Sequence, residues 1–203
     1  NFTQNKDLYS AIDNSVKKTI YEDIGTIKRY RSTNLVTIER LLNFVINTNS
    51  GEISVQKLAR LLDKDFDTVS NYLEALEEAG LVYGIYNNST RNSFARNPEK
   101  TLPSNANIMT ARRIPLLEGD KIGKFREVFA ISHIANSIGM DKVRNTKSGD
   151  FLVEDKYYIE VGGQNKNLKQ VGNVEDGFLF TGNSTSVDLS GRKIPLYLLG
   201  LLY

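Results

Sequence analysis

The residues best placed to do chemistry in this chain of 203 residues are three acids in its last third, Glu127, Asp150 and Glu160. Two of them lie in the stretch Ser148-Gly149-Asp150-Phe151-Leu152-Val153-Glu154-Asp155-Lys156-Tyr157-Tyr158-Ile159-Glu160-Val161-Gly162-Gly163. A hairpin looped at Glu154-Asp155-Lys156 pairs Phe151 with Ile159 and Leu152 with Tyr158, which sets Asp150 directly across from Glu160. Such partners hold their Cβ atoms about 4.5–5.5 Å apart on one face. Two carboxylates so placed repel unless a cation lies between them, and Mg²⁺, with its preference for oxygen, suits that position. A loop of this length ordinarily wants a left-handed glycine, and this one has none. Glu127 would be the third acid. On a helix it heads the apolar stripe Ile131, Ile134 and Ile138, so it points toward a sheet rather than into water. The competing readings are a first-turn glutamate favoured by the helix dipole, and, for the other two acids, structural ion pairs to Lys166, Lys147 or Arg126.

Composition removes several other chemistries. The absence of cysteine excludes disulfides, zinc knuckles and a thiol nucleophile. The single histidine, His133, lies off the apolar stripe beside Ser132 and Asn136 and reads as a surface or edge residue. With 40% apolar and 25% charged residues and a net charge of +2, the balance is that of a soluble globular protein, long enough for one large domain or two small ones. The longest apolar run, Ile194 to Tyr203, is half of the roughly 20 residues that a membrane span needs. The start, Asn1-Phe2-Thr3, carries no signal-like segment, and the expectation is a cytoplasmic fragment of something longer.

The elements that position these acids follow from periodicity. Leu8, Ile12, Val16, Ile20, Ile24 and Ile27 predict a helix over 7–29. Asn34 is a candidate cap for a second, ending near Asn47–Gly51, and Ser54 for a short third through Leu62. A turn with Asp63, Asp65 and Asp67 leads to a fourth, closed by Gly80. A strand, Leu81–Tyr86, and a polar, wing-like segment over 87–107 complete the order of a winged helix-turn-helix. After a junction at Pro115 and Gly119–Gly123 come a helix over 124–137 and strands at 142–144, 150–153, 157–161 and 177–181, with a polar helical piece at 167–174.

Charge is distributed unevenly along this order. Residues 50–86 carry 3 basic and 7 acidic side chains, whereas 87–126 carry 8 and 3. The recognition helix would offer Asp67, Glu74, Glu77 and Glu78 to phosphates, which costs binding. Only Thr68, Ser70 and Asn71 could reach base edges there. Nucleic-acid contacts, if the module makes them, are therefore expected from Arg91, Arg96, Arg112 and Arg113, with Thr68 and Asn71. The alternative is a winged helix used for packing or for binding protein.

These motifs together resemble the region that follows the ATPase core in a large prokaryotic AAA-type ATPase family. The resemblance rests on Thr68-Val69-Ser70-Asn71-Tyr72-Leu73-Glu74-Ala75-Leu76-Glu77-Glu78-Ala79-Gly80-Leu81-Val82, Phe125-Arg126-Glu127-Val128-Phe129, Gly149-Asp150-Phe151-Leu152-Val153, Ile159-Glu160-Val161-Gly162-Gly163-Gln164-Asn165-Lys166 and Ile194-Pro195-Leu196-Tyr197, and so spans nearly the whole chain. It implies a fold of α+β class in three parts. These are a helical tail of the missing ATPase module over 1–33, a winged helix over 34–114, and a restriction-endonuclease-like α/β domain of the PD-(D/E)XK type, with a small mixed sheet, over 115–203. Two departures matter. No G-x-x-x-x-G-K-[ST] sequence is present, so no ATP site is expected in these residues. The lysine of the nuclease pattern falls at 162, where Gly162 stands, so the water-activating charge is missing unless Lys166 or Gln164 reaches back. The resemblance thus implies an accessory, regulatory end of an ATPase that binds a protein partner or DNA. The alternative is an active nuclease using Mg²⁺ with Glu127, Asp150, Glu160 and Lys166.

Overall fold

The computed structural model describes residues 5–48, 54–87, 97–112, 119–182, 185–188 and 190–202. They build a mixed α+β architecture that divides into two compact units, 1–84 with 92–116, and 85–91 with 117–203.

Unit 1 begins with helix α1 (Asn5–Lys18), which runs through a π-helical segment (Thr19–Ile24) into α2 (Gly25–Lys28). Val16, Ile20 and Ile24 of the expected stripe are buried, but Ile27 is 75% exposed. The wider π turn rotates the residues that follow it, and so swings Ile27 out of the stripe. Helix α3 (Ser32–Asn47) starts before the expected cap. Asn34 instead donates from Nδ2 to the Tyr72 hydroxyl at 2.8 Å, tying α3 to α5. Helix α4 (Val55–Leu62) is capped by Ser54, whose Oγ accepts from the Lys57 N–H. Helix α5 (Phe66–Glu78) is capped by Asp65, which accepts from both the amide and the hydroxyl of Thr68.

Gly80, at φ 69°, closes α5 as expected. Its N–H reaches the Glu77 carbonyl and the Leu81 N–H reaches that of Leu76, the paired bonds of a left-handed helix stop. Strands β1 (Val82–Ile85) and β2 (Lys100–Pro103) then form a two-stranded sheet. A further helix, α6 (Ala106–Ala111), was not expected. Six residues are too few to display a helical period, and its cap, Asn105, sits in a stretch that reads as polar loop.

Unit 2 holds the long helix α7 (Gly119–Ile138) and a sheet of order β3-β4-β5-β6-β7. Its strands are β3 (Val143–Arg144), β4 (Phe151–Val153), β5 (Tyr157–Gly162), β6 (Gly177–Thr181) and β7 (Lys193–Pro195). The first three are antiparallel, whereas β5, β6 and β7 are parallel. The parallel register places Ile159 beside Phe178 and Val161 beside Phe180 on one face. On that face Ile134 and Ile138 of α7 join Ile159, Phe178, Phe180 and Ile194 around an apolar cavity of about 280 Å³. Tyr158, Glu160 and Gly162 share the opposite face with Gly177, Leu179 and Thr181.

The β5–β6 crossover covers this second face. Its Val171 is fully buried, and a Cβ on Gly177 would strike the Val171 carbonyl. Arg192 clasps the crossover from the far side, donating to the carbonyls of Gly177, Val171 and Val174 at 2.7–2.8 Å. The segment expected to be helical over 167–174 is a single 3-10 turn, Leu168–Gln170.

Candidate functional site

The site is built on the β4–β5 hairpin, whose register is the expected one: Phe151 faces Ile159, Leu152 faces Tyr158 and Val153 faces Tyr157. The missing glycine is replaced by strain. Glu154 and Asp155 both take the left-handed conformation, at φ 52° and 53°, and the Lys156 N–H returns to the Val153 carbonyl. Such residues cost about 1–2 kcal/mol each, which the surrounding sheet must offset.

At the open end of the hairpin the ladder gives way to side-chain chemistry. The Asp150 N–H donates to the Ile159 carbonyl at 2.7 Å, and the Val161 N–H donates to Asp150 Oδ2 at 2.9 Å. Gly149, at φ 108°, turns the chain away, and a Cβ there would sit 2.8 Å from the Ile159 carbonyl oxygen. Glu160, the residue after the last β4–β5 pair, is only 2% exposed. Burial pushes its carboxyl above the usual range, and the negative charge of Asp150, with a smaller part from Glu127, pushes in the same direction. Lys166 opposes this: its Nζ lies 2.6 Å from Glu160 Oε1. Asp150 and Glu127 therefore both act electrostatically on Glu160. Among the described residues, however, no three His, Asp or Glu side chains are arranged to hold a metal ion.

Gly162 explains how Lys166 gets there. A Cβ at 162 would stand 2.7 Å from both Cβ and Cγ of Lys166, so the lysine stem fills the space that a side chain at 162 would use. A lysine four residues downstream thus delivers its ammonium to the acid two residues before the glycine. Gln164 does not take part in this way; its carbonyl accepts from Lys193 Nζ at 3.0 Å. On α7, Glu127 is half-buried. Lys124, one turn before it, is 4% exposed, and burial lowers its pKa to about 8 against the opposing pull of Glu127. His133 packs against Phe129 at a centroid distance of 4.3 Å with the rings tilted by 54°.

Sequence reasoning missed Arg126 as a site residue and cast it only as a counter-ion. Its side chain lies across Gly163 and Gly182, contacting the places where a Cβ of either would go. The signal in the sequence was the glycine that follows each of two strand ends.

The residues expected to touch nucleic acid fare differently. Arg112 is corrected: its side chain is 9% exposed, with Nε 3.0 Å from Asp13 Oδ1 and Nη1 2.8 Å from Glu39 Oε1. A guanidinium enclosed by two carboxylates is not presented to phosphate. Thr68 is engaged in capping α5, as its hydroxyl donates to Asp65 Oδ2 at 2.7 Å. Asn71 is half-buried on the same helix. Arg91, Arg96 and Arg113 lie outside the described residues.

The chain belongs to the family described as a domain of unknown function (DUF8612), whose model matches residues 1–102. That match ends within β2, so all three acids, Lys166 and Arg126 lie beyond it. No curated protein and no solved structure matches the chain. Among the described residues no helix is long and apolar enough to cross a membrane.

Proposed function

We propose that the chain is the C-terminal accessory region of an AAA-type ATPase, in which unit 1 is a winged helix and unit 2 a nuclease-derived domain of PD-(D/E)XK type. In this reading it has no ATP site of its own and acts in partner or nucleic-acid binding and in regulation of the ATPase module. Support for a non-catalytic unit 2 comes from one observation: its acids are already satisfied by the protein. Glu160 is paired with Lys166 and Asp150 accepts from the Val161 amide, so neither needs a cation to be stable.

A second reading, a Mg²⁺-dependent nuclease, draws support from the same lysine. Lys166 restores a Lys–Glu–Asp grouping in spite of Gly162, with Glu127 on α7 as a further acid. In that case Asp150, Glu160 and Glu127 would hold the ion and Lys166 would orient the attacking water, a contribution of about 10²–10³ in rate. Calorimetric titration with Mg²⁺ and Mn²⁺ separates the two. The accessory reading expects negligible heats in wild type and in Asp150→Asn alike. Saturable heat in wild type that Asp150→Asn abolishes would replace it with the nuclease.

A further inference from the structure

Parallel strands gather ligand sites at their carboxyl ends, where backbone emerges and loops open. In unit 2 that end is formed by Gly162, Thr181 and Pro195, which lie side by side in β5, β6 and β7. The two glycines after Val161 project to opposite faces, and each leaves room for a cation. Lys166 fills the space on the Gly162 side and turns onto Glu160. Arg126 occupies the Gly163 side, its Nη1 3.4 Å from where a Cβ would be. It also crosses Gly182, where a Cβ would clash with its Nε and stand 3.1 Å from Cδ and 3.2 Å from Cζ.

Two cations on one glycine pair have different partners. The Lys166 charge is spent on Glu160, whereas Arg126 forms no ion pair or hydrogen bond among the described residues. It is half-buried, so part of its hydration is already lost with nothing gained in exchange. The Thr181 hydroxyl at the same strand end is fully buried and has no hydrogen-bond partner among the described residues. The nearby acids are each engaged: Glu160 by Lys166, Asp150 by the Val161 amide, and Glu127 in the field of Lys124. Lys193, donating to the Gln164 carbonyl, adds a third positive charge beside the Gly162–Lys166 turn.

We propose that Arg126, seated across Gly163 and Gly182 at the carboxyl end of the parallel strands, binds a backbone phosphate of DNA. The planar fork of a guanidinium matches two phosphate oxygens at once, which an ammonium in its place would not. The proposal rests on the reading of unit 2 as a nuclease-derived domain that meets nucleic acid.

The test is fluorescence anisotropy of a short fluorescein-labelled DNA, duplex and single strand, over a salt series. Arg126→Ala should weaken binding about tenfold and lower the slope of log affinity against log salt by about one. Arg126→Lys should keep the slope but not the affinity. Gly182→Ala, whose new methyl displaces the guanidinium, should weaken binding as Arg126→Ala does, with circular dichroism melts confirming that each variant folds. Unchanged affinity and slope in Arg126→Ala overturn the proposal. If wild type binds no DNA, titration with inorganic phosphate followed by ³¹P line broadening decides. A response lost in Arg126→Ala keeps an oxyanion site and removes the nucleic-acid reading, and no response in wild type removes both.

Discussion

Each unit of the molecule encloses a cluster of charges, and the two clusters are balanced in opposite ways. In unit 1 one guanidinium, that of Arg112, is shared by Asp13, Glu39 and the Asn43 side chain, and Tyr21 donates to the remaining Glu39 oxygen at 2.7 Å. Two carboxylates meet one guanidinium, whose Nε and Nη2 have no hydrogen-bond partner among the described residues, and the carboxyl of Glu39 lies below its ordinary range: burial raises it, but the hydrogen bonds from Tyr21 and Arg112 outweigh burial. In unit 2 burial and the negative charge of Asp150 displace Glu160 upward in spite of Lys166. Arg126 stands a strand end away on the glycines. In unit 1 the one cation is spent on two carboxylates and holds helices together. In unit 2 the acids are engaged, yet Glu160 is perturbed and an unspent cation stands beside the cluster, and perturbed groups of this kind concentrate at functional sites.

The contrast is broken most severely at Arg112. Removing it by Arg112→Ala strands two carboxylates between α1, α3 and α6, each about one-fifth to one-quarter exposed. The expected loss is about 3 kcal/mol of unfolding free energy, near the lower end for a broken buried pair because its partners keep some solvent. Urea denaturation measures it, and a loss below about 1 kcal/mol would show that the network is not structural. A smaller effect is expected at Gly162. Gly162→Ala forces a methyl to within 2.7 Å of the Lys166 stem, so the lysine must leave Glu160 or the turn must shift. Overpacking of this kind costs about 1–3 kcal/mol. If the melting midpoint does not change, Lys166 is not confined as its contacts indicate.

How far the sequence discloses these features depends on the range of the interaction. The hairpin register was legible because two apolar strands with a short loop leave few ways to pair. Ser54 and Gly80 were legible because caps are local chemistry. Strand β7 was not, since three residues pairing in parallel with β6 leave no periodic trace in a run that is apolar throughout. Arg112 was misjudged because its partners are 73 and 99 positions away in the chain, and a basic residue in a basic stretch gives no sign of them. Arg126 was hidden for the reverse reason. Among the described residues its distinction is to form no ion pair or hydrogen bond, and spacing alone does not tell such a guanidinium from a paired one.

The finest distinction between the clusters is the sign of their pH dependence. Glu39 has a lowered pKa, so its contribution is present above the ordinary value of 4.5 and is lost as the solution is acidified through the folded-state pKa. Glu160 has a raised pKa, so the folded state holds its proton more tightly than the unfolded chain does. The stability it lends is complete below 4.5 and declines as pH rises through the folded-state value. Glu160→Gln removes that titration while keeping the shape of the side chain. Measured against wild type by urea unfolding at a series of pH values, the variant should gain relative stability as pH rises from about 4 toward neutrality. Glu39→Gln should lose relative stability over a lower interval, as pH rises from the lowered folded-state value to 4.5, since it forfeits an ionised group that the network favours. If both differences ran in the same direction, the two clusters would be balanced alike, and the case for treating the strand-end acids as more than a structural pair would fall with the contrast.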